Sequence, residues 1–155
     1  MTSATTRLLP AFAAVLLLAA GAAQARTETC QPTDEKKIAG LFDRWNDSLK
    51  TLDPAKVTAN YAPDAVLLPT VANQPHATPA EINGYFVKFL KDQPQGAIDK
   101  RFIKIGCNLA QDVGTYTFSF KDGNKVSARY TFVYEFTGGK WLIVNHHSSA
   151  MPVKE

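Results

Sequence analysis

The chain has 155 residues, with 17 Lys or Arg against 14 Asp or Glu, a net charge of +3. So small an excess, with no basic block, argues against a nucleic-acid binder. Hydrophobic residues make up 45%, which excludes wholesale disorder, and two cysteines are too few for a disulfide-dense scaffold or a four-thiolate zinc site.

Residues 1–25 read as a secretory signal peptide. Arg7 supplies the positive start, Leu8 to Ala20 the apolar run, and Ala23-Gln24-Ala25 a small-x-small cleavage site. An uncleaved membrane anchor is the alternative, but the run is short for a bilayer and closes quickly at Gly21, Gln24 and Arg26. Cleavage after Ala25 leaves about 130 residues, enough for one domain with one core. No later run reaches spanning length, so a periplasmic or secreted protein without membrane attachment is expected. Export favours a bond between Cys30 and Cys107, the alternative being two buried thiols.

A short polar lead occupies 26–33. Thr33 is placed to cap a helix whose apolar stripe is Ile38, Leu41, Phe42, Trp45 and Leu49. Asp43 and Asp47 fall on its solvated side. Asp53-Pro54 starts a second, short helix, with Val57 and Tyr61 inward and Pro63 as its stop. Ala65 to Leu68 is a brief strand, and 69–77 a loop broken by Pro69, Asn73 and Pro75. Thr78-Pro79-Ala80-Glu81 is a capping box opening a third helix with Ile82, Tyr85, Phe86, Phe89 and Leu90 on one face.

From Ile98 the period changes to two. Tyr116, Phe118 and Phe120 share one face, as do Ala128, Tyr130, Phe132, Tyr134 and Phe136. Turns are signalled at Asp122-Gly123-Asn124 and at Thr137-Gly138-Gly139-Lys140, and the last strand runs from Trp141 to Ser149. Helices first and antiparallel strands last define an α+β fold, with a curved sheet wrapped around three helices.

Tyr130 to Pro152 (YTFVYEFTGGKWLIVNHHSSAMP), with Tyr61 to Pro69 (YAPDAVLLP) and Gly106-Cys107-Asn108, resembles the association domain of calcium/calmodulin-dependent protein kinase II, and more closely its exported bacterial relatives. The resemblance spans 34–152. It implies a nuclear transport factor 2-like (cystatin-like) cone with one deep pocket, in a superfamily of isomerases, dehydratases, cyclases and non-catalytic modules. It also implies a homo-oligomer, most simply a dimer. No kinase catalytic domain accompanies it, since the chain has no glycine-rich phosphate loop. Arginine positions of the kinase's pocket fall on Phe132 and Ser148, and near Tyr116, so the pocket should be more aromatic and less cationic.

The residues expected to line it are Tyr116, Tyr130, Phe132, His146 and Ser148. His146 and His147 are neighbours on a strand and point to opposite faces, so they cannot jointly bind one metal. With His146 inward, it is either a hydrogen-bonded structural residue or an acid–base group titrating near neutrality. Asp64 either closes the turn before the first strand or serves as a base inside the cone. His76 reads as a loop histidine near the pocket mouth. Arg129 falls opposite Tyr130, placed to pair with Glu135 or across a dimer contact. Trp141, Ile143 and Val133 are expected to face outward, where a two-fold sheet contact would cover them. Ser148 and Ser149 lack the strained elbow of a nucleophile. No metal or cofactor is called for. The leading expectation is a non-catalytic oligomerising module with a small-molecule pocket; the alternative is a cofactor-independent isomerase, dehydratase or cyclase using His146.

Overall fold

The computed structural model describes residues 28–152, so the signal segment lies outside the described residues. Its elements are α1 (Glu35–Lys50), α2 (Pro54–Thr58), β1 (Tyr61–Leu68), α3 (Pro79–Phe89), a 3₁₀ turn (Leu90–Asp92), β2 (Gln95–Ile105), β3 (Leu109–Ser119), β4 (Lys125–Thr137) and β5 (Lys140–Ala150). Asp34, rather than Thr33, caps α1: its carboxylate accepts the Lys37 amide at 2.8 Å. Asp53 caps α2, with Pro54 in the first turn. The Thr78–Glu81 capping box of α3 is complete, each side chain meeting the other residue's backbone amide.

The strands form one curved, unclosed sheet in the order β1-β5-β4-β3-β2. β2 to β5 pair antiparallel, while β1 joins β5 in parallel, because the chain returns to β1 only after α3 and three further strands. Pro63 does not end a helix. α2 stops at Thr58, and Pro63 lies inside β1 where the register with β5 shifts. Tyr61 therefore belongs to the sheet, its ring buried.

Bulges bend the sheet. One sits in β2 between Ile98 and Lys100, and a second shifts the β4–β5 register between Val133 and Tyr134. The first brings the Lys100 carbonyl against Gly114, where any Cβ would collide with it. The second breaks the alternation of β5, so Leu142 and Ile143 are both buried. Ile143 thus turns into the core rather than joining an outward patch, and Trp141 packs its ring on Phe136 at 5.6 Å. Gly138 and Gly139 carry the positive φ angles of the β4–β5 turn.

α1 lays its apolar stripe on the concave side. Phe42 meets Tyr116, Tyr130 and Phe132, and Trp45 meets Phe86, Phe118, Phe132 and His146, with centroids 5.3–6.4 Å apart. Asp43 and Asp47 stay exposed. A disulfide joins Cys30 to Cys107 across 77 positions, pinning the lead to the β2–β3 turn. Asn108, in the left-handed region, donates to Glu28 and to the Thr29 carbonyl and accepts the Gln31 amide. The bond fits an oxidising compartment. Among the described residues no helix is long and apolar enough to cross a membrane.

Closing so long a loop restricts the unfolded chain, so Cys107→Ser is expected to lower the unfolding free energy by roughly 3–5 kcal/mol. Urea unfolding of the two proteins checks this; equal midpoints would show that the staple contributes nothing.

Candidate functional site

The concave face carries two polar clusters set in aromatic packing. The first follows from α1, β1 and β5 converging. Trp45 Nε1 donates to the Tyr61 hydroxyl at 3.1 Å, and Tyr61 lies 2.8 Å from His146 Nδ1. Indole N–H can only donate, so Tyr61 accepts it; among the described residues the Tyr61 O–H has no other acceptor, and it donates to Nδ1. The histidine proton then resides on Nε2, which has no hydrogen-bond partner among the described residues. The ring stacks on Phe132 at 4.0 Å and meets the edge of Trp45. Burial, with a smaller contribution from neighbouring His147, pushes His146 down to about 3. It is therefore neutral across the physiological range, where the sequence allowed titration near neutrality. Burial also raises Tyr61 well above a normal phenol.

A cavity of about 80 Å³ opens beside this chain. Trp45, Leu67, Phe86, Tyr116, Phe118 and Ala128 wall its inner part, with His146 and Ser148 as polar members and Val71 and Val126 at its exposed edge. The Tyr116 hydroxyl donates to Ser148 Oγ at 2.6 Å, and Thr70 Oγ1 lies 2.6 Å from the same oxygen. Burial raises Tyr116 to about 12. A wider external groove of about 530 Å³, between the 71–76 segment and α3, shares Val71, Tyr85 and Phe89 with the cavity.

Of the five residues expected to line a pocket, Tyr116, His146 and Ser148 border this cavity, whereas Tyr130 and Phe132 are packed in the core away from it. Asp64 is exposed on β1, and His147 is exposed on the convex face. His76 pairs by backbone with Leu67 and stacks on Tyr85 at the outer groove. Arg129 points outward and reaches the Ala150 carbonyl, and Glu135 is exposed. Among the described residues no three His, Cys, Asp or Glu side chains gather in a metal-holding group.

The second cluster is one that reading the sequence missed. Asp112 is wholly buried on β3. It accepts from Arg101 Nε at 3.1 Å and from the Tyr130 hydroxyl at 2.8 Å on the same oxygen, Oδ1. Its other oxygen lies 3.0 Å from Arg101 Nε without an aligned donor. Desolvation raises the Asp112 carboxyl, against the lowering by Tyr130 and Arg101. Tyr134 adds a buried hydroxyl with no partner among the described residues. The signal was present: the inward parity of Tyr116 and Phe118, carried back along β3, lands on Gly114, Asp112 and Ala110. Arg101 was hidden, because the β2 bulge resets which residues face in.

The folded chain defines a protein of the nuclear transport factor 2-like, cystatin-like class. A model of the calcium/calmodulin-dependent protein kinase II association domain matches residues 34–152. The chain belongs to that family. A Xanthomonas campestris structure named for the same association domain is 46% identical, with 81% of this chain and 97% of that one aligned at a TM-score of 0.74. A nuclear transport factor 2-like protein of unknown function from Pseudomonas putida is 18% identical (79% and 90% covered, TM-score 0.69). A candidate aromatic-ring hydroxylase from Novosphingobium aromaticivorans is 19% identical (80% and 94%, TM-score 0.66). The last two share the fold alone. No curated protein matches the chain.

The unfolded chain protonates His146 near 6.5, the folded chain only near 3, so acidification across that window favours unfolding. The loss reaches roughly 4–5 kcal/mol at about 1.4 kcal/mol per pH unit. Melting temperatures of the native chain and His146→Phe between pH 7 and 3 test it; parallel profiles would refute the neutral buried histidine. Asp112→Ala strands Arg101 and is expected to cost about 3 kcal/mol in urea unfolding, an outcome that a change under 1 kcal/mol would contradict.

Proposed function

We propose that the protein is an exported, non-catalytic, oligomer-forming module that holds a small molecule at one end of its sheet. The carrying observation is the carbon-walled cavity bordered by Tyr116, Ser148 and His146, the last held neutral. The rival reading, a cofactor-independent isomerase, dehydratase or cyclase, asks His146 for proton exchange that its burial opposes. Asp64, the other group proposed for that chemistry, stands outside the cavity. Export is supported by the disulfide between Cys30 and Cys107.

Assembly is supported by the family and by the convex face. One row crosses all five strands through Leu68, His147, Thr131, Val113 and Phe102, from exposed Leu68 at one edge to 57% exposed Phe102 at the other. Arg129 and Glu135 flank that row on β4. Two-fold packing of this face centred over Phe132, midway between them, would set each Arg129 opposite the partner's Glu135, a self-complementary contact. Light scattering at micromolar concentration is expected to return twice the chain mass, and Val113→Glu with Thr131→Glu to halve it without changing the circular dichroism. A native monomer would overturn the assembly reading.

A further inference from the structure

We infer that the cavity takes a neutral, largely apolar molecule presenting hydrogen-bond acceptor oxygen at its inner end, and that it rejects carboxylates and amines of the same shape. This rests on the cavity reading above and adds the ligand's chemistry.

Tyr116, Ser148 and Thr70 bring three O–H protons but make only two mutual contacts, Tyr116 to Ser148 and Ser148 with Thr70. Whichever way the second is oriented, one proton is left over. It sits on Ser148 if Thr70 donates, and on Thr70 if Ser148 donates. His146 adds no donor to it: its Nδ1 meets Tyr61, and its Nε2 is closed off within the packing. A site with a spare donor in carbon walls is complementary to an acceptor.

Charge is excluded by the same walls. Among the described residues no Lys, Arg, Asp or Glu borders the cavity. Arg101 is committed to Asp112 and lies outside the lining. His146 supplies no positive charge. A carboxylate or ammonium would lose its hydration without gaining a counter-ion. Size sets the remaining limit: about 80 Å³ is the share of two or three waters, so only the head of a ligand enters. The rest must leave past Val71, 76% exposed, toward the groove that Tyr85 and Phe89 share with the cavity.

Trp45 walls the cavity, and the chain has two tryptophans, so Trp141→Phe assigns the Trp45 indole N–H resonance in a ¹⁵N-labelled protein. Acetophenone, benzoate and benzylamine share a frame and differ in charge. Titrating each is expected to move the Trp45 resonance with acetophenone at least tenfold tighter than either ion. Removing all three hydroxyls together (Thr70→Val, Tyr116→Phe, Ser148→Ala) should weaken acetophenone about three- to tenfold while leaving the indole spectrum of the free protein in place. Benzoate or benzylamine binding as well as acetophenone would overturn the neutral-ligand class while keeping the cavity as a site. An unchanged acetophenone affinity in that triple variant would overturn the donor assignment. If none of the three moves Trp45 up to its solubility, the small-molecule reading itself falls.

Discussion

An uncharged hydrogen-bond chain, Trp45 to Tyr61 to His146, ties α1, β1 and β5 together inside the cone. Each member has a large ring with a single polar edge, so each can be buried only where the next one meets that edge. The chain fixes the rotamer of Trp45 under the sheet, sets the tautomer of His146 and keeps its ring flat against Phe132. The cavity exists because these rings are held in place: Trp45 and His146 form part of its wall, and neither can move in to fill it without breaking a buried bond.

The two polar clusters divide the concave face by electrical character. At the cavity end the polar atoms are neutral, a histidine, two hydroxyls and a phenol. Away from it, Arg101 and Asp112 neutralise each other under Phe42, whose ring lies 5.6 Å from the guanidinium carbon. A buried ion pair of this kind contributes little net stability, but it is costly to break and allows few alternative arrangements. It also requires Gly114, because the β2 bulge that aims Arg101 inward places the Lys100 backbone where a Cβ would stand. The association-domain fold is thus fitted here with an interior that keeps its charge away from the open end.

What was legible in the sequence was local. Asp53-Pro54 and the Thr78–Glu81 box announce helices because the signal and its hydrogen bonds lie within four residues. Alternation in β3 and β4 put Tyr116, Phe118, Tyr130, Phe132 and Tyr134 on the inner face, where they lie. The family was legible from Tyr130 to Pro152 and the segments that strengthen it. Alternation fails where one extra residue enters a strand: it points Ile143 outward, whereas the β4–β5 register shift turns that side chain in. Tyr61 was assigned to a helix because the stretch between Asp53 and Pro63 carries no marker of where α2 gives way to β1.

Composition and spacing by themselves determined an α+β chain of helices followed by strands, a pair of cysteines able to bond, and an aromatic inner face, since these depend on neighbours in sequence. The tertiary structure alone decided which aromatics close the core and which border a void. It also decided that His146 is neutral and that Arg101 meets Asp112. Those outcomes depend on desolvation and on contacts between residues far apart in the chain, and the order of side chains along one strand carries no record of them.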